Sequence, residues 1–329
     1  MRILVVSPGF HGYASSFGRT FASLGHHARV HVYDHAGAGV DRIGMRLLHR
    51  RPEHALAQRT RRNLTDRAID ALRMYRPDAV LVVRGDLLDQ AWWDALAAHP
   101  ARRVTWMYDE LRRMTYSDET LGRIGVLATY SARDADALRT RGVRAHHVPL
   151  GFDALEPIRA RPTRGVTLIG ARYPSREEAL RRLAGAGVEV TAFGRDWSRH
   201  PVDVLRTGAY AHPGVRSGRE LSRGQAYGAM RDSAATLNLH ADQDGFTMRT
   251  FEAAGVGAVE ICDRPDVDRF YEPGAEVLSY ASTDELVEQC RRVIADPRWA
   301  DGIRARARAR TLAEHTLAHR LRRLEQLWA

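Results

Sequence analysis

The sequence predicts an α/β fold made of two doubly wound halves, and three observations carry that prediction. Short apolar, β-branched runs alternate with segments of helical period along almost the whole chain, the pattern of parallel βαβ units. A stretch rich in Pro and Gly and without helical period, 149–162, interrupts the series near its middle, as a linker does. At 329 residues the chain is long enough for two domains of ordinary size.

In the first half, strands are expected over 3–7, 28–33, 79–83, 104–108 and 124–128, with helices over 14–24, 63–75 and 87–97 between them. Ser131 with Asp134 marks a helix start ahead of 135–141, and a short strand over 145–148 closes the series. After the linker, strands are expected over 166–169, 188–193, 235–239, 258–261 and 276–279, and helices over 220–231, 247–254 and 283–295. Ser175 and Glu178 have capping-box spacing, which opens a further helix running to 184. From Pro297 onward the chain is almost wholly helical. The expected domains are therefore 1–150 and 151–311, both Rossmann-like, with a terminal helix over 312–329 that can cross back to the first. Two such halves face a cleft, and ligands of open parallel sheets bind beyond the carboxyl ends of the strands.

Composition narrows the class. Apolar content of 44% and charged content of 27% are those of a soluble globular protein. No apolar run approaches the ~20 residues of a membrane helix, and the run at 3–6 is too short for a signal-peptide core. Cys262 and Cys290 are the only cysteines and lack CxxC spacing, as in a reduced, cytoplasmic protein without disulfides or structural zinc. All 50 basic residues are Arg, and the net charge is +10. Such an excess attracts nucleotide diphosphates, anionic membrane surfaces or polyanionic acceptors. The alternating arginines of 304–310 spread around a helix instead of forming one stripe, which is the pattern of a solvated helix. Among 15 His, the pairs His26–His27 and His146–His147 are adjacent and cannot face one site on a helix, and no HExxH occurs. No structural metal and no strict metal dependence are expected.

The most informative segment runs from Asp244 through Gly245 and Phe246 to Glu252 and on to an Ala/Gly-rich helix end. It places a carboxylate and a Gly at the mouth of a helix, with a second carboxylate eight positions on. A helix N-terminus offers free N–H groups and a positive dipole end, and carboxylates accept from sugar hydroxyls. That combination suits a nucleotide sugar. Upstream, a strand ends in Gly170, and Arg172 and Arg176 follow before the next helix. Arginine forks there suit a diphosphate.

These segments, with 190–197, 227–239, 248–255, 270–276 and His315–Thr316, follow one another in an order and spacing that resembles the CgeB-like, spore-maturation branch of the GT-B glycosyltransferases across roughly 160 residues. The resemblance implies two Rossmann-like domains and a nucleoside-diphosphate sugar donor, such as a UDP-sugar, with no cofactor and no obligatory metal. It implies that Arg176, and Arg172 as a second candidate, meet the donor diphosphate. Asp244, Gly245 and Phe246 would hold the donor sugar, Glu252 the ribose, and Gly214 and Val215 the base, with Arg249 beside Glu252. Asp244 departs from the family's Glu, which puts the identity of the sugar in doubt. Glu260 repeats the eight-residue spacing after Glu252, but it lies in a strand and reads as coincidence.

The first half resembles the family less and should supply the acceptor side. His11, after the first strand, and Asp109, after the fourth, can form a His–Asp dyad for an inverting enzyme. The Asp244/Glu252 pattern instead implies a retaining one, in which both residues merely bind substrate. Arg84 and Glu110 are further acceptor-side candidates. The expected function is glycosyl transfer to a hydroxyl of a small molecule or polymer, with retention. The alternatives are a polyanionic acceptor, nucleic acid or cell-envelope polymer, which the charge motivates, and a non-catalytic sugar-nucleotide-binding protein of the same fold.

Overall fold

The computed structural model describes residues 1–35, 40–211 and 213–328. The chain forms two compact units, Met1–Leu150 with Leu317–Ala329, and Gly151–Thr316. Each is built on one six-stranded sheet.

The first unit runs β1 (Arg2–Ser7), α1 (Tyr13–Ser23), β2 (His27–Val32), α2 (Val40–Arg50), α3 (Ala55–Tyr75), β3 (Ala79–Val83), α4 (Gln90–Ala98), β4 (Arg102–Met107), α5 (Asp118–Arg123), β5 (Leu127–Thr129), α6 (Ala132–Thr140) and β6 (Ala145–His147). The sheet order is β2-β1-β3-β4-β5-β6, parallel throughout. All five residues of β3 are buried, as are 3–7 of β1. Continuous apolar runs of this kind belong to strands covered on both faces. Edge strand β2 is only partly covered.

The second unit runs β7 (Val166–Ile169), α7 (Pro174–Gly185), β8 (Val190–Phe193), α8 (Pro201–Thr207), β9 (Arg216–Gly218), α9 (Arg223–Asp232), β10 (Ala235–Asn238), α10 (Met248–Val256), β11 (Glu260–Cys262), β12 (Leu278–Ser279), α11 (Thr283–Ala295) and α12 (Pro297–Glu314). Its order is β12-β11-β10-β7-β8-β9, again parallel. Helix α13 (Leu317–Glu325) then returns to the first unit. Leu321 and Leu324 are buried there, Trp328 stacks on Phe21 at 5.9 Å, and Arg320 Nε donates to the Leu150 carbonyl at 2.8 Å.

Three local expectations change. Ser175 does not cap α7. Pro174 occupies the first turn behind Tyr173, which makes no side-chain cap, because a ring with fixed φ and no N–H is already suited to that position. A capping box occurs instead at Ser222 with Gln225. Helix α3 begins at Ala55, eight residues before the expected start, with the His54 ring accepting from the Leu56 N–H at 3.1 Å. Helices α5 and α8 and strand β9 have sequence patterns too short or too polar to be read from periodicity alone, whereas α2, with Val40, Ile43, Leu47 and Leu48 at helical spacing, was legible and not among the expected helices.

Candidate functional site

The carboxyl edge of the second sheet gathers most of the donor-side residues. Gly170 follows β7, Leu239 follows β10, and Asp263 follows β11. Arg176, in the first turn of α7, reaches across this edge. Its Nε donates to the Leu239 carbonyl at 3.1 Å, its Nη2 donates to the same oxygen, and its Nη1 donates to the Ala171 carbonyl at 3.0 Å. A Cβ at position 170 would lie 2.9 Å from Arg176 Nη1, so Gly170 leaves room for the guanidinium. Burial lowers the pKa of Arg176, with Tyr173 and Asp263 opposing. Among the described residues it has no carboxylate at ion-pair distance.

Arg172 has a different fate. Its Nε and Nη2 form a fork on the Glu177 carboxylate at 2.9 and 3.0 Å, and its Nη1 donates to the Ala211 carbonyl. The fork ties the loop after β7 to the first turn of α7.

Helix α10 starts at Met248, and its N-cap Thr247 makes no side-chain cap, which leaves N–H groups of the first turn available. Ahead of it, Arg264 shapes the 243–246 loop. Its Nη1 donates to the carbonyls of Gln243 and Asp244 at 3.0 and 2.8 Å, and its guanidinium lies 4.2 Å over the Phe246 ring. Gly245 and Phe246 are buried, and Asp244 is half-buried. Glu252, on the next turns, is buried. Tyr227 donates to it at 3.3 Å and Arg249 at 2.7 Å, so Arg249 covers the carboxylate expected to meet ribose.

Beneath the loop lies a polar network that the sequence reading missed. The Asn238 amide donates to Glu260 at 2.7 Å and to Thr250 at 2.8 Å. The His240 N–H and ring Nδ1 both meet Asp263, at 2.9 and 2.8 Å. Burial would raise Asp263, but the bonds from His240 outweigh it and hold the carboxyl below its usual range. Glu260 is fully enclosed, and burial pushes its pKa up to about 8 although Asn238 opposes. The available signal was polar residues inside apolar strands: Asn238 closes β10 and Glu260 opens β11. His240 Nδ1, Cys262 Sγ and an Asp263 oxygen lie within 4.8 Å of one another. A cation there would need a thiolate, whereas burial and the nearby Glu260 push the Cys262 thiol well up.

Gly214 and Val215 are not at this edge. They precede β9 instead of following a strand, and Arg216, next in the chain, pairs with Glu189 at 2.6 Å just before β8. In a parallel sheet that is the amino end, so the structure does not bring them to the donor loops. The residues that do leave β9 at the carboxyl edge begin with Arg219.

At the carboxyl edge of the first sheet, His11 is exposed and held at φ 46° in the turn Phe10–Gly12, a region a non-Gly residue rarely adopts. Asp109 lies 3.6 Å from Arg84 and 4.0 Å from Arg113, and it accepts the Glu110 N–H at 3.0 Å. Burial raises Asp109, with Arg84 opposing. Arg84, also at positive φ (58°), forms a fork on buried Asp86 at 3.2 and 3.1 Å. Glu110 is wholly buried, with Arg113 at 2.9 Å and the Tyr130 hydroxyl donating to it. It therefore supports the loop and offers no surface to an acceptor.

A family model described as "Glycosyl transferase-like" matches residues 153–326. No curated protein matches the sequence. Among solved structures, sucrose-phosphate synthase from Thermosynechococcus elongatus is 13% identical over 100% of this chain and 98% of its own, with a TM-score of 0.62. Anabaena Alr3699/HepE in complex with UDP and glucose is 14% identical over 99% of both chains, also at 0.62. T4 phage BGT in complex with its UDP-glucose substrate is 10% identical over 99% of this chain and 97% of its own, at 0.56. Two parallel six-stranded sheets with flanking helices are thus the GT-B fold. No helix among the described residues is long and apolar enough to cross a membrane.

Proposed function

We propose, for a chain that belongs to the glycosyl transferase-like family, that it transfers a glycosyl group from a nucleoside-diphosphate sugar to a hydroxyl acceptor with retention of configuration. A UDP-sugar is the first donor to test, and the CgeB-like branch is the placement we favour within the family. The observation that carries this reading is Arg176. Its guanidinium is fixed by neutral carbonyls at the ends of β7 and β10 and has no carboxylate partner among the described residues. Three of its five N–H groups are spent on those carbonyls, which leaves two for phosphate oxygens. The first turn of α10 adds N–H groups and its dipole. Charge that is already in place stabilises a leaving diphosphate without reorganisation at the moment of reaction.

In this reading Glu252 accepts from ribose, exchanging its Arg249 bond for a hydroxyl and freeing Arg249 toward the phosphates. Asp244, Gly245 and Phe246 hold the sugar on a loop shaped by Arg264. Arg172 positions α7 through Glu177 instead of meeting phosphate. Retention is favoured because Asp109 is engaged by Arg84 and Arg113, a poor setting for a carboxylate meant to steady a His base. His11 and Arg84 then bind acceptor. No step calls on a metal or cofactor.

The test is a thermal-shift screen across nucleosides, nucleoside diphosphates and their sugars, since a ligand of the folded state raises apparent stability. Diphosphates should raise the melting temperature more than nucleosides do, and Arg176→Ala should abolish that preference. A screen in which no sugar nucleotide stabilises the protein would remove the reading. An inverted product anomer, seen by proton NMR, would remove retention alone.

A further inference from the structure

The first unit carries a basic surface that the donor reading does not use. Residues 40–62 hold seven Arg against Asp41 and Glu53, a net +5 (7 − 2) of the chain's +10. Arg42, Arg46, Arg50 and Arg51 on α2 or just after it, and Arg59 and Arg62 on α3, are all exposed. None has a carboxylate at ion-pair distance among the described residues, unlike Arg84 and Arg113 at the neighbouring loops.

Helix α3 shows where this surface stands. Its last residue, Tyr75, donates to the His27 carbonyl at 2.7 Å and lies 4.8 Å from the Arg2 guanidinium, both at the amino end of the sheet. Ten residues earlier, Thr65 accepts from the Asp89 N–H at 3.0 Å, in the segment that follows β3 at the carboxyl edge. The helix has therefore crossed the sheet by Thr65. Residues 55–64, about 15 Å of helix, overhang the edge that carries His11, Arg84 and Asp109. Helix α2 packs on that overhang so closely that a Cβ at Gly44 would lie 2.0 Å from Thr60 Oγ1.

We propose that this hairpin docks an acceptor that is a single-chain phosphodiester polymer, held through its backbone charges. The proposal rests on the glycosyl-transfer reading and names its acceptor class. Arg42, Arg46 and Arg50 lie at i, i+4 and i+8, one stripe with a charge about every 6 Å, a spacing an extended phosphodiester chain can follow. Unpaired like charges along one stripe destabilise their own helix, and a bound polyanion removes that repulsion. Residues 40–62 contain no Phe, Tyr or Trp, so bases lack the large stacking platforms of single-strand binders there. Ile43, 52% exposed, is the one large apolar side chain exposed on this stretch among the described residues, too little for insertion into a bilayer.

The experiment is fluorescence anisotropy of a labelled oligothymidylate, the probe for such a backbone, with the full chain over a range of salt. For single strands the logarithm of the binding constant falls with the logarithm of salt by about 0.7 per phosphate contact. Replacing Arg42, Arg46 and Arg50 together by Ser should make that slope shallower by about 2 and weaken binding roughly tenfold or more at low salt. Arg59→Ser with Arg62→Ser, on the other helix, should make it shallower by about 1.4. In both variants the thermal shift given by the nucleotide sugar should match wild type, which shows that the fold and donor site are intact. Wild-type affinity and slope in both variants would overturn the proposal. So would wild-type protein that binds phosphatidylglycerol vesicles and not the oligonucleotide. If the polymer binds but no nucleotide sugar stabilises the protein, the glycosyl-transfer reading fails and the acceptor role goes with it. If the donor binds and the polymer does not, this inference alone fails.

Discussion

The carboxyl edges of the two sheets use the same residue types and differ in charge balance. At the first, Arg84 and Arg113 meet three carboxylates, Asp86, Asp109 and Glu110. At the second, Arg176 donates to carbonyl oxygens and has no carboxylate at ion-pair distance among the described residues. A guanidinium already paired with carboxylates has little charge left to offer, whereas one held by neutral carbonyls keeps it. The first edge is thus a stiff, self-neutralised scaffold, with backbone strain at His11 and Arg84. In the proposed reading the second is the anion seat, and this difference in charge balance supports placing the diphosphate there.

The largest effect should come from Arg176→Ala. Loss of one preorganised charge-bearing donor at a leaving group costs about 10²–10³ in kcat/KM, and Lys should not fully restore a fork. Arg84→Ala should leave donor affinity unchanged. Equal donor losses in both variants would break the contrast between the edges.

Glu252→Ala comes next. If the carboxylate accepts from ribose, donor affinity by isothermal titration should weaken by roughly 1.5–3 kcal/mol. A folded variant with unaltered affinity would take ribose binding away from α10.

Glu260 sharpens the comparison through stability. Its folded pKa of about 8 lies above the ordinary 4.5, so the folded chain holds this proton more tightly than the unfolded one. The stability contributed is full below about 4.5 and is lost as pH rises through about 8. Gln cannot ionise, so the melting temperature of Glu260→Gln should gain on wild type by several degrees between pH 5 and 8 and hold that gain above. A difference that ignores pH would mean the carboxyl is not kept neutral by burial.

The smallest effect should follow from His11→Ala. With Asp109 committed to arginines, kcat should fall less than tenfold and the change should appear in acceptor KM. A loss of 10²–10⁴ in kcat, the scale of a general base, would restore the dyad and the inverting reading.

Much of the fold was legible. The apolar run of β3 and the amphipathic period of α11, Thr283–Ala295, identify themselves, because burial on both faces or on one stripe writes directly into residue order. Strand β9 was not legible, because it has three residues; helix α2 was, since Val40, Ile43, Leu47 and Leu48 recur at helical spacing, and the reading passed over it. The site was legible in part. Arg172 and Arg176 look alike in sequence, and Glu177 separates them by taking the fork of the first. Gly214 and Val215 look like a loop at a ligand, but a loop that enters a strand and one that leaves it have the same composition. Glu260, dismissed as a strand residue, turns out to be an enclosed carboxyl bonded by Asn238.

The sequence by itself determined two series of strands and helices, the linker between them, and the set of polar groups from which a site could be made. These are properties of neighbours in the chain, set by side-chain period and by Gly and Pro. Only the tertiary structure decided which charges remain available. Arg176 reaches a carbonyl 63 positions away, Arg84 a carboxylate at 109, and Asn238 a carboxyl at 260. Whether a charge is neutralised depends on separations of a few ångströms in space, and residue order does not contain them.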